Sequence, residues 1–165
     1  MRKVFAIIAV LVLGAVSVPA MAITSEQQNS IKENCSSIKE TLVSLQHTDA
    51  RHRLNVGRYY EIILNKFIVP LNLRLVDNNT TNAELVANQS NFSETRAKFN
   101  NDYIIYQQNL EELVAINCEE EPVKFYEKLE TTREKRKAVR QDMAKLKTLA
   151  DKQMSLVSGL KEKTE

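Results

Sequence analysis

Ile31, Cys35, Ile38, Leu42, Leu45, Asp49, His52, Val56, Tyr59 and Ile63 recur at alternating intervals of four and three residues. That 3.5-residue period belongs to a helix winding against partner helices. Two members, Asp49 and His52, are polar where the pattern asks for apolar side chains. A first helix over about 25–76 follows, opened by the capping box Thr24-Ser25-Glu26-Gln27. Pro70 lacks a backbone donor and crowds the preceding turn, which predicts a kink near 68–71.

Two further seams keep the same rhythm. Asp77-Asn78-Asn79-Thr80 is a polar turn, and Thr81-Asn82-Ala83-Glu84 is a second capping box. The helix it opens, about 82–117, carries Leu85, Gln89, Phe92, Arg96, Phe99, Tyr103, Tyr106, Leu110 and Leu113 at four-three spacing. Cys118-Glu119-Glu120-Glu121-Pro122 forms the second hinge. Proline suits a first helical position, and the glutamates favour a helix N-terminus. The last helix, about 122–162, carries Phe125, Leu129, Thr132, Arg136, Val139, Met143, Leu146, Ala150, Gln153, Val157 and Leu160. No segment pairs as a strand hairpin. The expected fold is all-α, an elongated antiparallel three-helix bundle or coiled coil, whose 36-residue middle helix would span about 54 Å. Such a rod offers much surface and little cavity.

Residues 1–22 read as a signal peptide. Arg2 and Lys3 precede an apolar run over 4–13, and Pro19-Ala20-Met21-Ala22 supplies a small-residue cleavage site. The run is short for a membrane span, so cleavage is expected before Ile23, and membrane contact only through an uncleaved segment. The single domain is then 23–165, 143 residues of the 165-residue chain. Without Arg2 and Lys3, the 23 basic and 21 acidic residues of the whole chain become 21 of each. Residues 23–121 carry nine Lys and Arg against fourteen Asp and Glu, whereas 122–165 carry twelve against seven. An acidic body with a basic last helix favours docking within the chain.

An exported chain meets an oxidising compartment, where its two cysteines are expected to pair. Folding the chain at its turns, near 77 and 120, brings Cys35 opposite Cys118. It also brings Asp49 opposite residues near 104 and 136. A polar seam layer of Asp49, His52, Thr132 and Arg136, with Tyr103 nearby, is therefore predicted.

Asp49 and His52 lie three apart on one helical face, half of a general-base pair or half of a metal site. Nothing supplies the other half. The chain has no HExxH, no calcium loop, no glycine-rich phosphate loop and no nucleophile motif. Inward polar groups on such seams more often specify pairing. Neither a catalytic residue, a cofactor nor a metal ligand is assigned. Arg133, Lys135, Arg136, Lys137 and Arg140 form a candidate polyanion face suited to an anionic envelope polymer. No aromatic residues interleave with them for base stacking, which argues against nucleic acid.

The layout Asp49-x-x-His52-x5-Arg58-x-Tyr60, followed by the Cys118-Glu-Glu-Glu-Pro122 hinge and Phe125, resembles small exported helical proteins of reduced-genome, candidate-phyla bacteria. The resemblance implies an extracytoplasmic helical module and no catalytic residue. Length and export are also similar to the basic helical chaperones of the Skp type, whose β-rich assembly core has no counterpart here. The expected function is non-enzymatic: a protein-interaction or structural module at the cell envelope, binding a protein partner or itself. The alternatives are a small-ligand or metal binder centred on Asp49 and His52, and a periplasmic-type chaperone.

Overall fold

A computed structural model describes residues 23–162. The signal-peptide reading and the start at Ile23 turn on residues 1–22, outside the described residues. The described chain is helical with no strand: α1 (Ser25–Glu33), α2 (Cys35–Ile62), a π-helical segment (Ile63–Ile68), α3 (Val69–Asp77), α4 (Ala83–Ala115) and α5 (Pro122–Glu162). At 1.5 Å per residue, the 41-residue α5 is about 60 Å long. Antiparallel α4 and α5 form the dominant pair, and the first arm, α1 through α3, lies chiefly along α4.

The caps follow from side chains. Thr24 accepts from the Gln27 backbone at 3.2 Å while Gln27 Oε1 accepts from the Thr24 backbone at 2.9 Å, the predicted reciprocal box. The second cap falls one residue later than predicted. Asn82, not Thr81, receives the Glu84 and Leu85 backbone donors, at 2.9 and 3.2 Å. Before it the chain reverses through Asn79 at φ 54°, a left-handed conformation that asparagine tolerates well. Pro122 opens α5 as expected.

The predicted first helix over 25–76 is interrupted twice. At Asn34 (φ −107°, ψ 13°) the side chain donates to the Ser30 carbonyl at 2.8 Å and competes with the backbone ladder. Further on, the irregularity lies over 63–68, ahead of the predicted kink at 68–71. The Val69 N–H bonds back five residues to Leu64, and Pro70 then contributes no donor at all. The wider turn changes which side chains face inward. Beyond Val56 the buried positions are Tyr60, Leu64, Ile68 and Asn72, four apart, while Tyr59 is 59% exposed and Ile63 half-buried.

The α4 seam differs in its first half. Asn88 and Thr95 are buried, where Gln89 and Arg96 were expected. Arg96 instead reaches Glu61 at 3.5 Å across the surface. The core runs Leu85, Phe92, Phe99, Tyr103, Tyr106, Leu110 and Leu113 on α4, against Phe125, Val139 and Leu146 on α5 and Leu42, Tyr60, Leu64 and Ile68 on the first arm. The α5 seam keeps its predicted register through Gln153, and Val157 turns to solvent.

Candidate functional site

Cys35 and Cys118 are joined in a disulfide, with Cα atoms 5.6 Å apart, as predicted. The bond ties the start of α2 to the loop between α4 and α5, and both residues are buried.

About four turns further along α2, Asp49 accepts a two-pronged ion pair from Arg136 on α5. Nε reaches Oδ2 at 2.8 Å and Nη2 reaches Oδ1 at 3.0 Å. Tyr106 on α4 donates its hydroxyl to the same Oδ2 at 2.7 Å. One carboxylate therefore links all three arms. Burial would raise the Asp49 carboxyl, but the hydrogen bonds from Arg136 and Tyr106 outweigh it and hold it below the usual carboxylate range. Burial and that same bond to Asp49 push the Tyr106 hydroxyl far above the ordinary phenol range.

The predicted membership of this layer needs two corrections. His52 has an exposed ring rather than a seat in the layer. The helix has by then rotated the Asp49-facing line away from it, towards Tyr60. Thr132 is buried, but its hydroxyl donates to the Asn109 and Lys128 carbonyls, at 3.2 and 2.7 Å, and not to Asp49. The aromatic partner is Tyr106. Tyr103, expected nearby, turns its hydroxyl to Gln107 at 2.8 Å and lies under the Arg53 guanidinium, 5.2 Å from its ring centre.

His52 does border a cleft of about 280 Å³ beside the layer, with Asp49, Arg53, Tyr103, Arg136 and Arg140. Three arginines face one carboxylate there. Among the described residues, no group of three or more His, Cys, Asp or Glu side chains is placed to hold a metal ion. Of the other basic residues singled out on α5, Arg133 pairs with Glu130, and Lys137 lies 3.8 Å from Glu134, so each is matched within its own helix. Lys135 and Arg140 have no ion pair among the described residues.

Sequence spacing missed three other polar contacts. Lys98 bridges Asp102 at 2.6 Å and the buried Asp142 at 2.8 Å, joining α4 to α5. Asn72 donates to Gln89 Oε1 at 2.6 Å and to the Leu85 carbonyl at 3.2 Å. Asn88 donates to Gln153 Oε1 at 2.8 Å and to the Leu149 carbonyl at 3.1 Å. A step of three from Leu85 reaches Asn88, a step of four then reaches Phe92, and a step of three reaches Thr95. The signal was present, but read with the opposite phase.

Comparison with protein-family models, curated proteins and solved structures yields no match. The geometry of this chain therefore carries the functional case alone. What it displays is a set of polar clamps between helices, with every strong bond of the Asp49 layer spent on a protein partner.

The acid response of that layer follows from its signs. A carboxyl with a lowered folded pKa contributes stability that is present above its unfolded pKa, about 4, and lost as pH falls through the lower folded value. Asp142 runs the other way. Burial raises its carboxyl against the pull of Lys98, so its contribution favours folding below the unfolded pKa and is lost as pH rises through the folded one. The melting temperature should fall from about pH 5 downward, most steeply below about pH 4, and Asp49→Asn should flatten that fall. Equal slopes in both proteins would show that Asp49 does not drive it.

Proposed function

We propose that this chain is a non-enzymatic, extracytoplasmic helical module, an elongated antiparallel three-helix bundle that engages another protein at the cell envelope. The supporting observation is a run of uncovered apolar side chains on the first arm: Leu54 is 62% exposed, Ile62 43%, Leu73 60% and Val76 53%. Leu54 and Ile62 are eight residues apart on α2, and Leu73 and Val76 three apart on α3, helical-face spacings within each helix. A face of this kind suits side-by-side helical association, in which a partner lays its own apolar stripe along the arm. The disulfide agrees with an oxidising compartment, and among the described residues no helix is long and apolar enough to cross a membrane.

Light scattering on the eluting protein, with and without crosslinked envelope extract, tests this. The expected result is a defined complex, with itself or with one partner, that is lost in the double variant Leu54→Glu/Leu73→Glu while the helical melt is preserved. A chain that stays monomeric and captures nothing specific would overturn it.

A second reading is favoured by the arginine-lined cleft, which suits a small anion better than a metal. A melting temperature raised by inorganic phosphate in the native chain, but not in His52→Ala or Arg140→Ala, would support it. No such rise would remove it.

A further inference from the structure

Across from the π segment and α3, the C-terminal half of α5 closes a second, larger groove of about 900 Å³. Its walls are Tyr59, Ile63, Phe67, Leu71, Met154 and Val157, mostly apolar. Phe67 on one wall is 62% exposed and Met154 on the other 64%. The groove follows from the π turn. By carrying Tyr60, Leu64 and Ile68 inward, it leaves Tyr59 and Phe67 exposed on the groove wall. The lining spans residues 59–74 on one side and 147–158 on the other, about 16–22 Å of helix.

The charged groups of the groove are few and mostly basic. Lys66 and Arg74 lie on the first-arm side with no ion pair among the described residues. Lys147 lies on the other, paired with Asp151 at 2.6 Å. Three cations therefore meet one carboxylate. Gln153 also lines the groove. It is buried, its Oε1 is taken by Asn88, and its Nε2 has no protein acceptor. A long apolar trough with a few polar groups is the general form of a small-molecule site, and the charge excess selects the sign of the ligand.

We propose that this groove binds the acyl chain of a single-chain anionic amphiphile, with its head group held by Lys66 and Arg74. The apolar length matches an extended chain, and the uncompensated cations match an acidic head. A second copy of the chain is a poorer occupant. A two-fold dimer would set this patch against itself, opposing like charges. A membrane surface is a poorer one too, because the apolar side chains line a concavity and do not project from a flat face.

The experiment uses the purified chain and two probes with the same twelve-carbon tail, laurate and dodecyltrimethylammonium, both below their micellar concentrations. Displacement of a fluorescent apolar reporter gives the affinities. Saturable one-to-one laurate binding is expected, with the cationic probe about tenfold weaker. Lys66→Ala/Arg74→Ala should weaken laurate about tenfold and leave the cationic probe unchanged or tighter. Phe67→Glu/Met154→Glu should abolish both, and because these side chains are exposed, helicity and melting should persist. The proposal is overturned by non-saturable laurate uptake, by equal affinity for the two heads, or by laurate binding that survives Phe67→Glu/Met154→Glu. Binding confined to phosphatidylglycerol vesicles, or a dimer in which the groove is closed to laurate, would overturn it equally.

Discussion

Replacing both cysteines, Cys35→Ser/Cys118→Ser, should lower the unfolding free energy by about 4 kcal/mol. The bond closes a loop with a sequence separation of 83 residues, and constraining so long a loop removes much of the unfolded chain's freedom. The packing case points the same way. The first arm lies on α4 and contacts α5 sparsely along most of its length, so it depends on its two ends. Denaturant titration with and without reductant measures the effect. A loss under about 1 kcal/mol would mean that the reduced ensemble is already compact or that the native bond is strained. The reduced protein should keep the α4–α5 pair, with amide exchange accelerating first in α1 and the first half of α2.

Phe92→Ala should cost about 3–5 kcal/mol, whereas Tyr59→Ala should cost no more than about 0.5 kcal/mol. Phe92 is fully buried and meets the Tyr60 ring edge-on, 5.9 Å between centres. Truncating it opens a cavity at the junction of α4 with the first arm, where few neighbours are free to collapse inward. Tyr59 is mostly exposed and belongs to the groove wall. The pair is a test of register as well as of packing. If Tyr59 proved the costly residue, the seam would run through Tyr59 and Ile63, and the π segment would be displaced. Thermal melts of the two single variants suffice.

Much of this was legible before any coordinates. Helix caps, the hinge at Pro122 and the α5 register follow from local chemistry and a strict repeat. The Asp49–Arg136 pair and the disulfide follow from folding that repeat at its turns. Phase was harder to read. A four-three repeat has two continuations from any residue, and on α4 hydropathy does not choose between Asn88 and Gln89, although it favours Thr95 over Arg96 for burial. The burial of Asn88 depends on a carbonyl and an amide from α5, which spacing does not encode. His52 fails for a related reason. From Asp49 a step of four reaches the half-buried Arg53, whereas the step of three reaches the exposed His52. The groove was invisible for the same cause, since it exists only after Tyr60 and Ile68 have taken the inward positions.

The sulfur bridge also decides how the molecule carries a mechanical load. Tension applied between residue 23 and the C-terminus passes from Cys35 directly to Cys118 through covalent bonds. Residues 36–117 then sit in a bypassed branch that feels no pull, withholding about 290 Å of contour length from extension. Under force the oxidised chain yields only its short leading turn and α5, while Asp49, Tyr106 and the arm that carries Leu54 and Leu73 stay off the stressed path. Reduction would place every residue in series, and the same rod would become a long extensible tether.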